Sequence, residues 1–398
     1  MKNILYISYD GITDPLGQSQ VLPYIINLSK KDYKFHLISF EKPDRYSKYN
    51  SSIKKICFEN NIEWHPLNYT KNPPVLSTLW DMAKLHQKIN KIGRKTAFDM
   101  IHCRSYIPAI LGLKYKRKWN VRLLFDMRGF WADERVDGGL WNKKKIPFDK
   151  IYSYFKTKEK ELLIHSDHTI SLTHNGKNEL LLNKGKDDYA PISVIPCCTD
   201  TSLFDIQKQT SDQFIIGYLG SLGTWYMLDE MLVFFKRILE IYPDALFHFL
   251  TKEPASMIYD KAKELNIPSK HFLIEESERK NIPSKSSNWN FSLILITPSY
   301  SKKFSSPTKQ GELMAMGIPV ICNKGVGDMD EIIIKYNSGV IIEIDKIVSL
   351  NIQNILQKSF EKEQIRKGSI DYFSLKKGVK NYLEIYDKLL NKTLSTNK

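Results

Sequence analysis

Residues 305–323 read SSPTKQGELMAMGIPVICN, and this stretch shows where a helix begins, where it ends and where a strand follows. Ser306 suits the N-cap of a helix and Pro307 its first position, because the missing N–H of proline costs nothing there. Gly317 suits the end of the helix, and Pro319 opens an apolar run typical of a strand. The stretch therefore predicts a short helix that leads into a buried strand.

The same alternation of short apolar runs and helical patterns continues in both directions from this stretch. Strand-like runs begin with ILYISY at 4–9 and recur as far as 339–344, and helical patterns such as 226–241 lie between them. This alternation is typical of βαβ units and of a mostly parallel sheet. We therefore predict an α/β fold with two doubly wound, Rossmann-like domains that face each other across a cleft.

A polar stretch without a sustained apolar period, 199–213, divides the 398-residue chain. Single cores rarely grow past roughly 250–300 residues, so two domains are expected. The predicted parts are a first domain at 1–198, a linker at 199–213, a second domain at 214–373 and a final helix at 374–398 that could pack back on the first domain. Because ligands bind at the carboxyl ends of parallel strands, we expect the active site between the domains.

The composition predicts a cytoplasmic protein without a structural metal or disulfides. No window approaches the roughly 18–20 apolar residues that span a bilayer. The five cysteines are scattered and form no CxxC pair, which favours a reducing compartment and indicates no zinc site.

The formal charge of +15 allows three interpretations. The lysines could reflect compositional bias alone, spread over solvated faces. They could also bind an anionic membrane surface through two clusters that mix basic residues with tryptophan, at 114–119 and at 141–145. Nucleic acid is the least favoured partner, because no helix-turn-helix, zinc-finger or RNP-like pattern accompanies the charge.

The start of the helix at 308 has the chemistry of an anion site. Free N–H groups and the positive end of the helix dipole favour a negative group, and Thr308 and Lys309 add a hydroxyl and a charge suited to a diphosphate. Glu312 lies too deep in the helix to cap it, but its carboxylate can accept two hydrogen bonds from the adjacent hydroxyls of a ribose. The alternative is an ordinary capped helix with Glu312 on a solvated face.

Five stretches together resemble the family-four retaining glycosyltransferases of the GT-B fold, which are common in bacterial capsule, O-antigen and exopolysaccharide synthesis. The stretches, in family order, are DGITDPLGQSQVLPYI, FDMRGFWADERVDGGLW, VIPCCTDTSLF, GYLGSLGTWY and SPTKQGELMAMGIPVI. The resemblance implies that the second domain binds a nucleotide-sugar donor and that the first domain is on the acceptor side. It also implies retention at the anomeric carbon.

The resemblance assigns Glu312 to the second glutamate of the family's E-x7-E motif, which holds the donor ribose. The first glutamate should stand at residue 304, where this chain has Phe304. The family's diphosphate-binding arginine and lysine should lie in the loop at 221–225, which contains no cation. We expect Lys309, helped by Lys302 or Lys303, to supply the missing charge.

Other donor contacts are expected from small and hydroxyl-bearing residues. Gly17 is predicted to lie in the loop after the first strand, where the family uses a glycine to let backbone N–H groups approach the donor phosphate, although it could also be a plain turn glycine. Gly223 and Thr224 offer backbone and hydroxyl donors in the loop that lacks cations, and Ser306 and Thr308 do so at the helix start.

The first domain contributes the expected catalytic and acceptor-side residues. Arg128 stands where the family has a histidine and could stabilise charge on the leaving phosphate, while Asp126 could orient it or accept the acceptor's proton. An Arg–Asp pair that serves only structure is the alternative. His102, Arg104 and Glu134 are further candidates for acceptor binding.

We therefore predict a hexosyl-type glycosyltransferase that moves a sugar from a nucleotide sugar to a glycan or lipid-linked acceptor, without nucleic acid as a partner. No cofactor or metal is expected, since the Asp-Met-Asp sequence at 328–330 opens a helix instead of ending a strand. Two alternatives remain open. One is a nucleotide-sugar epimerase, which needs no acceptor, and the other is a non-catalytic protein that binds sugar nucleotides or polyanions.

Overall fold

The computed structural model describes residues 1–73 and 75–391, and contacts divide the chain into two compact units. The first unit contains Met1–Ile195 together with the C-terminal stretch that starts at Gly378, and the second contains Pro196–Lys377. The boundary therefore lies before the predicted linker at 199–213, which belongs to the second unit.

Hydrogen bonds attach the start of the stretch 199–213 to the second unit. The N–H of Thr199 donates to the carbonyl of Phe373 at 2.7 Å. Arg366 donates to the carbonyls of Thr201 and Phe204, and the Phe204 side chain is fully buried. A polar sequence is fixed here by backbone contacts that its composition does not show.

A parallel sheet of seven strands forms the first unit, in the order β3-β2-β1-β4-β5-β6-β7. Its strands are β1 (Lys2–Ser8), β2 (Tyr33–Glu41), β3 (Ile62–Asn68), β4 (Met100–Arg104), β5 (Arg122–Asp126), β6 (His168–Ser171) and β7 (Ile192–Val194). Its helices are α1 (Pro15–Gln20), α2 (Leu22–Ser29), α3 (Pro43–Glu59), α4 (Leu76–Gly93), α5 (Tyr106–Trp119), α6 (Trp131–Asp137), α7 (Phe148–His165) and α8 (His174–Leu182). Ile4 to Ser8 of the central strand β1 are all buried, as expected where apolar layers cover both faces of a parallel sheet.

The second unit has a parallel sheet of six strands in the order β10-β9-β8-β11-β12-β13. Its strands are β8 (Ile215–Leu219), β9 (Leu246–Leu250), β10 (Phe272–Glu275), β11 (Phe291–Ile294), β12 (Val320–Asn323) and β13 (Gly339–Ile342). Its α-helices are α9 (Leu228–Leu239), α10 (Ala255–Glu264), α11 (Ile282–Lys285), α12 (Thr308–Ala315), α13 (Met329–Tyr336), α14 (Ile352–Leu356) and α15 (Lys362–Phe373), with short 3-10 helices at Ser269–His271, Arg279–Asn281, Ser301–Phe304 and Ile344–Lys346. The predicted pair of doubly wound α/β domains is confirmed.

The last helix, α16 (Leu375–Asn391), belongs to the first unit from Gly378 onward. Tyr382 and Tyr386 are buried on its apolar face, and their hydroxyls contact Asp126 at the end of β5 and His102 in the middle of β4. Residues 392–398 of the predicted helix lie outside the described residues.

All five cysteines are buried and unbridged. Across the described stretches 1–73 and 75–391, every helix is too short or too polar to cross a membrane. The structure thus adds no disulfide and no spanning helix to the two α/β units.

Candidate active site

The helix that the sequence analysis singled out begins two residues after Ser306. Pro307 occupies the N-cap position of α12 and Thr308 is its first residue. The prediction that Ser306 caps this helix is wrong. Its hydroxyl instead accepts a hydrogen bond at 3.1 Å from the backbone N–H of Cys197. The hydroxyl thus fixes the segment that enters the second unit, and the N–H groups of the first turn receive no side-chain cap.

Lys309 lies on the first turn of α12, and its side chain reaches the carboxyl end of β8. Its Nζ lies 3.0 Å from the Tyr218 hydroxyl and 3.8 Å from the centre of the Tyr226 ring. The chain turns next to it at Gly220, whose φ of +105° favours glycine, and a Cβ there would lie 3.4 Å from the same Nζ. The single amine of Lys309 therefore stands where β8 gives way to the loop that lacks its own cation.

Burial sets the protonation of this amine. Lys309 is buried, which lowers its pKa to about 7, and Glu312 offsets only part of that shift. The side chain is thus near the midpoint of its titration at neutral pH. An incoming dianionic group would favour the charged form, so that ligand binding and proton uptake would be coupled.

A second lysine approaches the same loop. Lys302, in the turn before α12, is buried with its Nζ 3.6 Å from the centre of the Trp225 ring. Lys303, by contrast, is exposed, with its Nζ 5.4 Å from the ring of Tyr300. The structure therefore brings Lys302 together with Lys309 beside the loop after β8, and does not bring Lys303 there.

A pocket of about 430 Å³ adjoins this loop. Gly223, Thr224 and Tyr226 line it, together with the start of α9 and Lys261 of α10. A Cβ at Gly223 would meet no atom within 4 Å, so the backbone there faces open space. Tyr226 touches both the pocket and the Lys309 amine, and the two features are thus adjacent.

Glu312 is buried in α12, so the alternative of a solvated glutamate is excluded. Its Oε1 lies 2.7 Å from Nη2 of Arg279, a residue that the sequence analysis did not select. Burial raises the pKa of Glu312, although the cations of Arg279 and Lys309 oppose that shift. Phe304, at the position of the family's first glutamate, is fully buried as part of the apolar interior.

Gly17 was predicted to lie in a loop, but the structure places it inside α1, where it is buried. A Cβ at this position would lie 2.1 Å from the carbonyl oxygen of Gly11 and 2.6 Å from the Cα of Ile12. The missing side chain thus lets α1 pack against the loop after β1. The same loop is held by Glu41 at the end of β2, whose carboxylate accepts hydrogen bonds from the N–H groups of Ile12 and Thr13.

Asp126 lies at the carboxyl end of β5 among cationic side chains of the first unit. Its carboxylate lies 3.6 Å from Nη1 of Arg128 and 3.6 Å from Nη1 of Arg104, and it accepts a hydrogen bond at 3.2 Å from the Tyr382 hydroxyl. Arg128 has a φ of +64°, which is uncommon for a residue with a side chain and costs of order 1–3 kcal/mol. This backbone turn directs its guanidinium back to Asp126.

The electrostatics of Asp126 separate the two roles considered for it. Burial alone would raise the pKa of this carboxyl group, but Arg128, His102 and Arg104 together outweigh burial and hold the pKa at about 2. A general base works best with a pKa near the working pH, so a group this acidic accepts a proton poorly at neutral pH. The geometry favours Asp126 as the residue that orients Arg128.

The remaining acceptor-side candidates are differently placed. His102 is buried, and its Nδ1 lies 2.7 Å from the Tyr386 hydroxyl, which makes it a contact to the C-terminal helix. Arg104 is also buried and bridges Asp126 to the partly exposed Asp10, 3.3 Å from its Nε. Glu134 lies half-buried in α6, apart from the residues that contact Asp126.

Two family models match the chain over adjoining stretches. The model described as Glycosyltransferase Family 4 matches residues 21–203, and the model described as Glycosyl transferases group 1 matches residues 200–370. The chain belongs to family 4 of the GT-B glycosyltransferases. The predicted family is confirmed. In this glycosyltransferase the first model matches most of the first α/β unit, and the second model matches most of the second unit.

Solved structures share the fold of this glycosyltransferase at low sequence identity. Sucrose-phosphate synthase from Thermosynechococcus elongatus aligns with a TM-score of 0.75 at 15% identity, covering 99% of this chain and 100% of that one. The Anabaena protein HepE, solved in complex with UDP and glucose, aligns at 0.66 and 12% identity over 98% and 100% of the two chains. A putative UDP-N-acetylglucosamine 2-epimerase from Listeria monocytogenes aligns less well, at 0.57 and 14% identity over 98% and 97%.

These structural similarities establish the GT-B fold. No curated protein matches the glycosyltransferase in sequence.

Proposed function

We propose that this glycosyltransferase transfers a hexose-type sugar, with retention, from a nucleoside diphosphate sugar to a hydroxyl group of a glycan or lipid-linked acceptor in surface polysaccharide synthesis. One observation carries the proposal. Lys309 and Glu312 lie one turn apart on α12, with the Lys309 amine at the carboxyl end of β8 and the Glu312 carboxylate buried beside Arg279. A nucleoside diphosphate offers an anion for the first group and vicinal hydroxyls for the second.

In this proposal the donor diphosphate lies at the N-terminus of α12. The Lys309 amine, the Lys302 amine and the N–H groups of the first turn balance its charge, and Thr308 adds a hydroxyl. As the bond from the anomeric carbon to the diphosphate oxygen breaks, the leaving group gains negative charge. A buried, fully protonated Lys309 stabilises that charge more strongly than a solvated lysine, because water screens it less.

The nucleoside is held by Glu312 and the loop after β8. The carboxylate accepts the two ribose hydroxyls, and Arg279, 2.7 Å from Oε1, holds it in position. The pocket of about 430 Å³ at Gly223 and Thr224 is large enough for one ring of the donor. A related structure supports this choice of donor, since the Anabaena protein HepE was solved in complex with UDP and glucose.

The first unit supplies the acceptor side. Arg128, oriented by Asp126, is proposed to stabilise the negative charge that develops in the reaction, and Glu134 is proposed to contact acceptor hydroxyls, while the buried Arg104 supports Asp126. His102 is proposed only as support for α16, because its ring is enclosed and bound to Tyr386.

We also propose that transfer needs no metal ion. The lysines and helix N-terminus described above can balance a diphosphate, and Asp328 of the Asp-Met-Asp sequence precedes α13 and accepts a hydrogen bond from Tyr372. Transfer in excess chelator should equal transfer with added Mg²⁺ or Mn²⁺. A rate that falls in chelator and returns with either ion would refute metal independence.

A cytoplasmic site of action at an anionic membrane surface is proposed for lipid-linked acceptors. The 141–145 cluster favours it, since Lys143, Lys144 and Lys145 are exposed between the exposed Leu140 and Ile146. The 114–119 cluster favours it less, because Lys116 and Arg117 pair with acidic side chains and Trp119 packs against Phe98. Binding to vesicles with anionic lipid should weaken steeply with salt, and equal binding to neutral vesicles would contradict the proposal.

Thermal stabilisation by nucleotides tests the donor site directly. A ligand that binds the folded state alone raises the melting temperature. We expect one base among the nucleoside diphosphates to stabilise the wild type and the control Glu363→Ala, which alters an exposed glutamate of α15, but not Glu312→Ala. Equal stabilisation of all three proteins would refute the assignment of Glu312, and no stabilisation by any nucleotide would favour a non-catalytic protein.

A further inference from the structure

Three side chains with metal-ligand chemistry converge on one face of the first sheet, at its edge. In the parallel pairing of β2 with β3, His36 stands opposite Glu63, and His65 follows two residues later on the same face. The Glu63 carboxylate lies between the two rings, with Oε2 3.3 Å from His36 Nδ1 and Oε1 3.5 Å from His65 Nε2. In the part of the chain that the structure describes, no other group of three such ligands lies within a comparable radius.

Three of the four imidazole nitrogens of this group make no hydrogen bond. His36 is almost fully buried, yet neither of its ring nitrogens makes a hydrogen bond, and Nε2 of His65 makes none either. Buried polar atoms are nearly always paired, and each unpaired one costs about 1–3 kcal/mol. The two rings are stacked with an interplanar angle of 8°, so they offer nitrogens side by side to the same carboxylate. A ligand held by all three side chains would give a partner to one nitrogen of each ring.

Protonation and charge at the group are compatible with a cation. Burial lowers the pKa of His36, and it lowers the pKa of His65 to about 4. Two lysines oppose a cation: Lys34 lies 3.9 Å from Glu63, and Lys88 lies near His65. Lys34 acts at the solvated side, where about half of the Glu63 side chain is exposed and water screens its charge.

We propose that His36, Glu63 and His65 bind one divalent transition-metal ion, with Zn²⁺ as the best match. Two imidazole nitrogens and one carboxylate oxygen form a three-ligand set typical of zinc, with the fourth position open to water. Ligands of a tetrahedral zinc at about 2.0 Å lie roughly 3.3 Å apart. His36 Nδ1 and His65 Nε2 each lie at about this distance from one of the two carboxylate oxygens, at 3.3 and 3.5 Å, and one ligand atom of each residue lies within 4.8 Å of the other two.

The ion would act as a clamp on the edge of the sheet and take no part in sugar transfer. It would join β3, which has a neighbouring strand on one side only, to β2. The strand that carries Asp126 lies four strand spacings from β3, or about 19 Å. Metal binding should therefore raise the melting temperature without being required for turnover.

Zinc and cobalt titrations of the tag-free, chelator-treated protein test the site. Three variants are compared with the wild type: His65→Gln and Glu63→Gln remove ligands, and Glu59→Gln neutralises an exposed glutamate of α3 as a matched control. We expect one equivalent of Zn²⁺ in the wild type and the control, with a rise in melting temperature. We expect at least tenfold weaker binding and no such rise in the two ligand variants, whose metal-free melting temperatures show that they fold.

Cobalt identifies the ligands independently. Co²⁺ in a nitrogen and oxygen tetrahedral site should give intense visible d–d bands without a thiolate charge-transfer band, and these bands should disappear in His65→Gln. Zinc bound equally by all four proteins, no binding above the level of a protein-free control, or a thiolate band from the buried cysteines would each overturn the proposal.

Discussion

Replacing the buried amine at the proposed diphosphate site should stabilise the free protein and weaken its binding of nucleotide. In Lys309→Met the unbranched methionine can fill the space of the lysine stem without a charge to bury. The Tyr218 hydroxyl keeps a partner in the variant, because it donates to the carbonyl of Ser221 at 2.5 Å. The change therefore removes a buried charge and leaves no new unpaired polar group at Tyr218.

The pKa of Lys309 sets the magnitude. A fall from 10.5 to about 7 on folding corresponds to about 5 kcal/mol at 1.36 kcal/mol per pH unit, and this is the ceiling for the cost of the buried charge below pH 7. Between pH 7 and 10.5 the unfolded chain binds more protons at this residue than the folded one does. The contribution of Lys309 thus makes the wild type more stable as pH rises through this window, and the variant should lack that contribution.

The positive charge of Lys309, which lowers the stability of the free protein, should strengthen binding of the donor. A charge-assisted hydrogen bond to the diphosphate is worth about 1.5–3 kcal/mol, so the affinity of Lys309→Met for its nucleoside diphosphate should fall roughly 10- to 150-fold. Because half of the wild-type amines are neutral near pH 7, binding should take up a fraction of a proton there, and the variant should not.

Urea unfolding from pH 6 to 9 measures the stability term, and calorimetry in two buffers of different ionisation enthalpy measures the affinity and the proton uptake. Lys303→Met, which alters an exposed lysine away from the loop, is the matched control and should change neither quantity. A Lys309→Met protein that is less stable than the wild type and binds nucleotide equally well would refute the reasoning.

Three further changes test other parts of the structure. Asp126→Asn should cost about 3–5 kcal/mol of stability, measured by urea unfolding, because it removes the buried carboxylate that faces Arg128 and Arg104. The wild-type contribution should be complete above pH 3.8 and be lost as pH falls through about 2, and an unchanged acid transition in the variant would contradict this. Tyr386→Phe should lower the free energy of unfolding by about 1–3 kcal/mol, because His102 Nδ1 loses its partner. The control Tyr154→Phe, at an exposed site, should leave it unchanged, and equal melting temperatures of the two variants would disprove the contact. Gly17→Ala should lower the melting temperature, since its Cβ would lie 2.1 Å from the Gly11 carbonyl, and a variant that melts normally but loses nucleotide binding would restore the phosphate role for Gly17.

Local signals in the sequence predicted the architecture because parallel strands carry continuous apolar runs. The alternation of such runs with helical patterns identified two doubly wound sheets, and the apolar stripe that includes Met231, Phe234 and Phe235 is buried on α9 as expected. The end of α12 was also readable, since Gly317 takes the positive φ that follows a helix.

Competition between partners explains the local errors. Ser306 has the right side chain for a cap, but its hydroxyl binds the backbone of Cys197, far away in the sequence. Gly17 looks like a loop glycine, yet the close approach of Gly11 explains it inside a helix. The residues that flank Ser306 and Gly17 in the sequence do not reveal either of these contacts.

The candidate site was predictable in part for the same reason. Lys309 and Glu312 lie on one short helix, so their spacing could be read directly, and the loop without cations pointed to Lys309. Arg279 was missed because it lies in a polar turn with no motif, and only the fold brings it to Glu312. Glu41 was missed likewise, since an isolated glutamate at the end of a strand gives no signal that it holds the loop after β1.

The measurement that tests the central claim most directly is acceptor-dependent release of nucleoside diphosphate from a panel of nucleotide sugars. We expect one donor to be consumed with transfer of its sugar to the acceptor, in chelator as well as in Mg²⁺, with at least a tenfold lower rate in Lys309→Met and Glu312→Ala and an unchanged rate in Lys303→Met. Conversion of the donor to another nucleotide sugar without an acceptor would identify an epimerase. Binding of nucleotide without turnover of any donor would contradict the account.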